Sequence, residues 1–378
     1  MKKSLKIIKK MLVTLGVLIG VIIITVVLFI NLSPQFGGKA TKEQQKVYAK
    51  SQNYKDGQFI NIGGVKSEMS SGDMLKAIRG IFKNVPGTRP KLSLKTQKID
   101  SLDIANYASK ARFIWFGHST FLLQMKNKSI LIDPMFSSVP APHPLLGAKR
   151  FSKELPIEIE KLPKIDAVLI SHDHYDHLDY ASIKKLKHKV NIFFTPLGVG
   201  NHLKKWGVPK EKIVEIDWWQ ETKFDDLTFI STPSQHFSGR GLSDRDKTLW
   251  CSWIIQSDIE NIFFSGDSGY ASHFKEIGNK YGPFDFAMIE CGQYNKLWPE
   301  VHMFPEETAQ AGLDVKAKKI MPIHWGAFKL SQHSWTDPIQ RVTKKANELN
   351  IKLITPEIGK PTLIDDEHSQ YNQWWKSY

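Results

Sequence analysis

The sequence is poor in cysteine: Cys251 and Cys291 are the only two among 378 residues. Two thiols cannot build a disulfide framework, so a hydrophobic core has to hold the fold. Both lie in apolar runs and are expected as buried free thiols. The chain lacks an arginine-rich tract and lacks basic–aromatic interleaving, so no nucleic-acid partner is expected. It lacks low-complexity segments and any internal repeat of fixed period, which sets aside disordered and solenoid architectures. Acid is scarcer than base, and the formal charge is +14. Five of those charges are lysines in the first ten residues, where no acid occurs, and the remainder carries +9. A basic body suits anionic partners such as anionic lipid or phosphate esters, although a solvated basic surface explains it equally.

Aliphatic residues dominate the start of the chain. Met11 to Ile30 is an uncharged stretch of twenty residues, long enough to cross about 30 Å of hydrocarbon as a helix. Residues 1–10 then read as a basic cytoplasmic region, 11–30 as a single-pass anchor in the cell membrane, and the body as extracytoplasmic. The alternative is secretion after cleavage near Ala40, where Gly38-Lys39-Ala40 offers small residues. Residues 31–110 read as a polar linker and N-terminal extension, with a helical stretch over 73–82 and a loop around Pro86-Gly87-Thr88-Arg89-Pro90. Trp374-Trp375 near the other end suits a bilayer interface, a surface patch or a dimer contact.

Over 111–378 short apolar runs recur at 113–116, 121–125, 130–132, 167–170, 192–194, 228–230, 250–255, 262–264, 286–289 and 320–323, bounded by turn residues as strands are. The early runs are close neighbours, as in hairpins. Later ones alternate with helical stretches at 181–187, 199–206, 271–280, 305–315 and 338–349. Two sheets with helices outside, a layered α/β body, follow from that order.

The sharpest local pattern is Ser171-His172-Asp173-His174-Tyr175-Asp176-His177, directly after the apolar run Asp166-Ala167-Val168-Leu169-Ile170. Imidazole and carboxylate are ligands that a borderline metal such as Zn²⁺ accepts. So many of them in six residues would be costly to bury without a cation. Single residues at later strand ends join them: His236, Asp267 in Ser265-Gly266-Asp267-Ser268-Gly269, and His324. His302 stands just before a helix. A lone histidine at a strand end is usually structural. Seven together match two ions that share one carboxylate.

His172-Asp173-His174-Tyr175-Asp176-His177 is the signature of the metallo-β-lactamase superfamily, and the longer strings resemble one branch, the N-acyl-phosphatidylethanolamine-hydrolysing phospholipase D group. Those strings include Trp115-Phe116-Gly117-His118-Ser119-Thr120, Ile132-Asp133-Pro134-Met135-Phe136, Asp217-Trp218-Trp219, Thr232-Pro233-Ser234-Gln235-His236 and Ile323-His324-Trp325-Gly326. The resemblance covers about residues 110–330 and implies a four-layer αββα sandwich with two zinc ions, or another divalent transition metal, at the edge of the sheets. It implies that His172, His174 and His236 hold one ion, that Asp176, His177 and His324 hold the other, and that Asp267 bridges. It implies also that His302 lies near the substrate phosphate. Residues 140–146 depart from the family strings.

The expected chemistry is attack of metal-activated water on the phosphorus of a membrane phospholipid. Asp176 and Asp267 would orient the nucleophile and His302 would assist the phosphoryl group. Asp133 is expected to buttress a ligand histidine, or else merely to start a turn before Pro134; His118 is a second candidate for such support. Oxygen-reducing di-iron members of the family usually carry Glu where His174 stands, which disfavours redox chemistry. Two rival readings remain: a lactonase or other ester hydrolase on the same ligands, and a non-catalytic, metal-stabilised membrane module. A homodimer is left open.

Overall fold

The computed structural model describes residues 2–66, 70–81, 83, 85–366 and 373–378. The chain opens on a single helix, α1 (Lys2–Leu32), in which the lysines continue the same helix as the aliphatic stretch after them. Its apolar side chains from Leu5 to Leu28 are exposed, and it is long and apolar enough to cross a membrane.

Several described parts of the extension that follows pack on the body. In α2 (Lys42–Tyr48) Thr41 and Gln44 form a capping box, which satisfies backbone N–H groups that the first turn cannot. A short hairpin, β1 (Tyr54–Lys55) and β2 (Gln58–Phe59), follows, then α3 (Ser71–Ile81) and α4 (Ser101–Ala105). Tyr48 and Phe59 enter the main core. The predicted helix over 73–82 falls within α3, except Phe82, which lies outside the described residues.

Every one of the ten apolar runs becomes a strand. The first sheet takes β3 (Arg112–Trp115), β4 (Phe121–Met125), β5 (Lys128–Ile132), β6 (Ile165–Leu169), β7 (Val190–Pro196) and β8 (Ile213–Ile216) in chain order. The second takes β9 (Glu221–Phe224), β10 (Leu227–Thr232), β11 (Ser252–Gln256), β12 (Asn261–Phe264), β13 (Phe286–Glu290), β14 (Lys319–Ile323) and β15 (Lys352–Leu353), and β16 (Thr362–Leu363) returns to the first sheet beside β3. In each sheet an antiparallel meander gives way to parallel strands, at β5–β6 and at β12–β13. The sequence reading missed the two-residue strands β1, β2, β15 and β16, and also β8 and β9. The last two are outermost strands whose side chains are partly exposed, and their Glu and Lys residues dilute the apolar signal.

Alternation along the strands assigns the layers. Phe113, Trp115, Phe121, Leu123, Ala167 and Leu169 face the second sheet, where the Phe113 ring stacks on Phe286 at 4.8 Å. Ile114, Leu122, Leu131, Val168 and Phe193 face outward and are covered by α5 (Tyr180–Leu186) and α6 (Gly200–Lys205). On the far side α7 (His273–Tyr281), α8 (Pro305–Asp314) and α9 (Asp337–Glu348) cover the second sheet. The result is the four-layer αββα arrangement.

Trp374 and Trp375 correct an expectation. Neither is at an interface or on the surface: they are 7% and 2% exposed and pack with Trp325, so the end of the chain closes the core. Trp218 is buried, and Trp219 stacks on Tyr281. Cys251 and Cys291 are buried free thiols, as expected.

Candidate metal centre

The strands deliver their chemistry at one edge of the sandwich. The 171–177 loop leaves the end of β6, His236 follows β10, Asp267 follows β12 and His324 follows β14, while His118 and Asp133 follow β3 and β5. The turn before Asp267 depends on Gly266: its φ is +58°, and a Cβ there would sit 2.8 Å from the Cys251 carbonyl oxygen.

All the residues singled out converge. One cluster holds His172, His174, His236 and Asp267, and a second holds His118, Asp176, His177 and His324. His174 Nδ1 lies 2.9 Å from His172 Nε2 and 3.1 Å from His236 Nε2. Asp176 Oδ2 lies 3.1 Å from His324 Nε2, 3.5 Å from His177 Nε2 and 2.8 Å from His118 Nε2. Asp267 Oδ2 joins the clusters, at 3.1 Å from both His177 Nε2 and His324 Nε2 and 3.8 Å from both His172 Nε2 and His236 Nε2. His302 belongs to a third group with Asp267 and His324. Asp173, inside the same motif, turns away. Its carboxylate accepts hydrogen bonds from Gly239 N–H (2.8 Å) and Thr248 Oγ1 (2.9 Å) and lies 3.2 Å from His202 Nε2.

These donors suit a divalent cation. Burial, reinforced by neighbouring imidazoles, holds His172 and His236 well below the ordinary histidine range, so their lone pairs are available. Burial opposes ionisation of Asp176 and Asp267, yet the adjacent histidines outweigh it and hold both carboxyls well below their usual range. Burial also opposes protonation of His177 and His324, and there Asp267 and Asp176 win and raise both imidazoles. The field that would hold protons on those rings would equally draw a cation. Among the described residues, buried His177 Nε2 and Asp267 Oδ1 make no hydrogen bond, Nε2 merely approaching the other Asp267 oxygen, as ligand atoms aimed at an ion would.

Outer partners orient the rings. Asp133 Oδ2 is 2.7 Å from His177 Nδ1 and 2.5 Å from Ser171 Oγ, while Oδ1 accepts from Ser171 N–H at 2.7 Å. Ser171 Oγ is 2.9 Å from His172 Nδ1. His236 Nδ1 meets the Val301 carbonyl at 3.0 Å, and His324 Nδ1 meets that of Gly292 at 3.2 Å.

Two residues escaped the sequence reading. Asn61, in the N-terminal extension, clamps the backbone of His236: its Oδ1 accepts the His236 N–H at 3.0 Å, and its Nδ2 donates to the His236 carbonyl at 2.8 Å. Nothing local distinguishes this asparagine. Glu290, fully buried, sits 3.3 Å from His302 Nδ1 and 3.4 Å from His324 Nδ1 and accepts the Met303 N–H. A lone acid closing the apolar run 286–289 was the signal that could have found it.

Above the clusters opens a cavity of about 560 Å³. His174, Asp176, Asp267, His302 and His324 contribute to its lining; Met74, Phe237, Trp298, Val301 and Leu330 line it with apolar surface; Gln293 adds an amide. Arg245 is the one Lys or Arg in that lining among the described residues, with its guanidinium 4.3 Å from the Phe237 ring centre.

Residues 128–325 match the model of the β-lactamase superfamily domain. The chain belongs to the β-lactamase superfamily. An uncharacterized protein of Mycobacterium tuberculosis is 37% identical over 337 residues, covering 87% of this chain and 89% of that one. The N-acyl-phosphatidylethanolamine-hydrolyzing phospholipase D 1 of Caenorhabditis elegans is 30% identical over 265 residues, 66% of this chain and 73% of its own. Among solved structures, a metallo hydrolase from Ignicoccus hospitalis shares the fold with a TM-score of 0.52 at 22% identity, over 67% of this chain and 98% of that one. This superfamily member is a metal-dependent hydrolase.

Proposed function

We propose that the protein is a membrane-anchored dinuclear zinc phosphodiesterase that cleaves N-acyl-phosphatidylethanolamine-like phospholipids in the phospholipase D sense, with another divalent transition metal able to replace zinc. The observation that carries this reading is Asp267 Oδ2, a single oxygen within 3.8 Å of four imidazole nitrogens drawn from both clusters. In this reading His172, His174 and His236 would hold one ion, Asp176, His177 and His324 would hold the other, and Asp267 would serve both. Such a pair, when bound, supplies an acidified water and neutralises phosphoryl charge.

The chain's own groups do the rest. Asp176 and Asp267 accept hydrogen bonds from the attacking water and orient it toward phosphorus. The phosphorus–oxygen bond to the ethanolamine side breaks, the proton passes to that leaving oxygen, and phosphatidic acid remains. Glu290 engages His302 through Nδ1, leaving the opposite ring nitrogen to donate to a phosphoryl oxygen. Asp133 and His118 position His177 and Asp176. Arg245 supplies positive charge for the diester anion, and the apolar lining receives acyl chain. The helix α1 serves as a single-pass anchor with its N-terminus cytoplasmic and the body on the other face. The relatives in Caenorhabditis elegans and Saccharomyces cerevisiae that hydrolyze N-acyl-phosphatidylethanolamine support the choice of lipid.

The test is incubation of the full-length protein in detergent micelles with N-acyl-phosphatidylethanolamine. Phosphatidic acid should accumulate by mass spectrometry and stop on chelation. Opening of a lactone ring without diester cleavage would move the assignment to the rival ester hydrolase. Bound metal with no turnover of any ester would move it to the non-catalytic module.

A further inference from the structure

Two loops next to the end of α1 carry leucines that the fold leaves in the open. Leu145 and Leu146, in the loop 140–147, are 87% and 65% exposed, and Leu242 is 85% exposed. The first loop reaches α1 directly: the His143 ring lies edge-on to Phe29 at 6.2 Å. Leu242 lines, together with Ile30 and Leu32, a cavity of about 480 Å³ at the base of that helix. Both apolar tips therefore flank the point where a long apolar helix leaves the body.

The segment after α1 holds that geometry. The Pro34 carbonyl accepts from Trp206 Nε1 at 2.6 Å, the Gln35 carbonyl accepts from Arg240 Nε at 2.8 Å, and the Gly38 N–H donates to His202 Nδ1 at 3.1 Å. The seat accepts glycine alone: a Cβ on Gly37 would lie 1.9 Å from His202 Nδ1, and one on Gly38 would lie 2.3 Å from the Asn201 carbonyl oxygen. Phe36 meets Phe29 on one side at 5.4 Å and Tyr175 on the other at 6.4 Å. Tyr175 stands between His174 and Asp176, so the metal-binding loop is two ring contacts from the last turns of the helix.

We propose that Leu145, Leu146 and Leu242 insert into the bilayer that α1 crosses and seat the catalytic body on the lipid surface in one fixed orientation. The proposal rests on the reading of α1 as an anchor. Its occupant is lipid because the leucines are continuous with a helix whose own apolar side chains the body leaves uncovered, and the same lipid would cover both. Lys39, Lys205 and Lys247 line the same cavity as Leu242 and outnumber its two carboxylates, Asp173 and Asp244, a balance suited to anionic headgroups. A body held this way meets its substrate in the membrane plane, beside its own anchor.

The experiment uses the full chain in vesicles of phosphatidylethanolamine and phosphatidylglycerol, with Leu145→Cys, Leu242→Cys or Ile259→Cys labelled by an environment-sensitive fluorophore. Cys251 and Cys291 are buried and leave the introduced thiol as the reactive one. Ile259 is 70% exposed and precedes β12, at the opposite end of that strand from Asp267, which makes it the aqueous control. Labels at 145 and 242 should be quenched by nitroxide lipids and about fivefold less by iodide than the label at 259. Equal iodide quenching at all three positions, with the chain still resistant to alkaline extraction, overturns the seating while leaving the anchor intact. A chain that alkali strips from the vesicles overturns both. Fluorescence reports position rather than turnover, so a failed lipid assay does not touch this result.

Discussion

The two halves of the candidate metal site are built in opposite ways. The first sheet contributes His172, His174, Asp176 and His177 from one loop after β6, where spacing alone places them near one another. The second sheet contributes His236, Asp267 and His324 one at a time, from the ends of β10, β12 and β14. A short loop can be read as a motif. The scattered half exists as a site only because β10, two antiparallel steps from β12, runs in the same direction as the parallel β12, β13 and β14, so that their ends lie at one edge. The halves also differ in their support: Asp133 and Ser171 brace the loop from within its own sheet, whereas His236 is clamped by Asn61 from the N-terminal extension.

The sharpest way to break the comparison is to remove the atom both halves share. Asp267→Asn should lower turnover by roughly a thousandfold, bring bound metal to one ion or fewer per chain by elemental analysis, and shift the melting temperature modestly. Retention of full activity on every ester would end the catalytic reading. Asp133→Asn acts on the loop half alone. Metal affinity should fall about 10–100-fold in a chelator competition, most for the ion assigned to His177, which Asp133 meets directly, and less for the ion assigned to His172, which it reaches only through Ser171.

Asn61→Ala acts on the scattered half alone. It removes two hydrogen bonds to the His236 backbone and should cost about 1–3 kcal/mol in chemical denaturation. It should loosen the ion assigned to His236 and spare the other. Equal weakening of both ions would mean that the clamp on His236 acts on the whole site rather than on the cluster that His236 belongs to.

The last prediction lies outside the site and concerns pH. Burial pushes His273, at the start of α7, down to about 3. The folded chain therefore keeps this ring neutral while the unfolded chain protonates it below its ordinary value near 6.5. Stability should fall as pH drops below that value, by up to about 1.4 kcal/mol per pH unit from this group, and the loss should level off near the folded value. His273→Gln removes the term. Its acid-side denaturation curve should be flatter than the parent's between neutrality and pH about 4.5.

The sequence by itself determined the ten central strands, because runs buried on both faces must be apolar throughout, and it picked out the loop's candidate ligands, because imidazole and carboxylate crowd into six residues. It could not show the strands β8 and β9, whose half-exposed edges carry charge. Nor could it show that Trp374 and Trp375 turn inward to Trp325, since an aromatic pair near a chain end looks alike inside and outside. Only the tertiary structure decided that Asn61 and Glu290 stand behind the ligands, that Asp173 faces away from its neighbours, and that the segment after α1 is pinned to the body. Each of these is a contact across a large separation in sequence, and local composition leaves no trace of a partner brought close by folding.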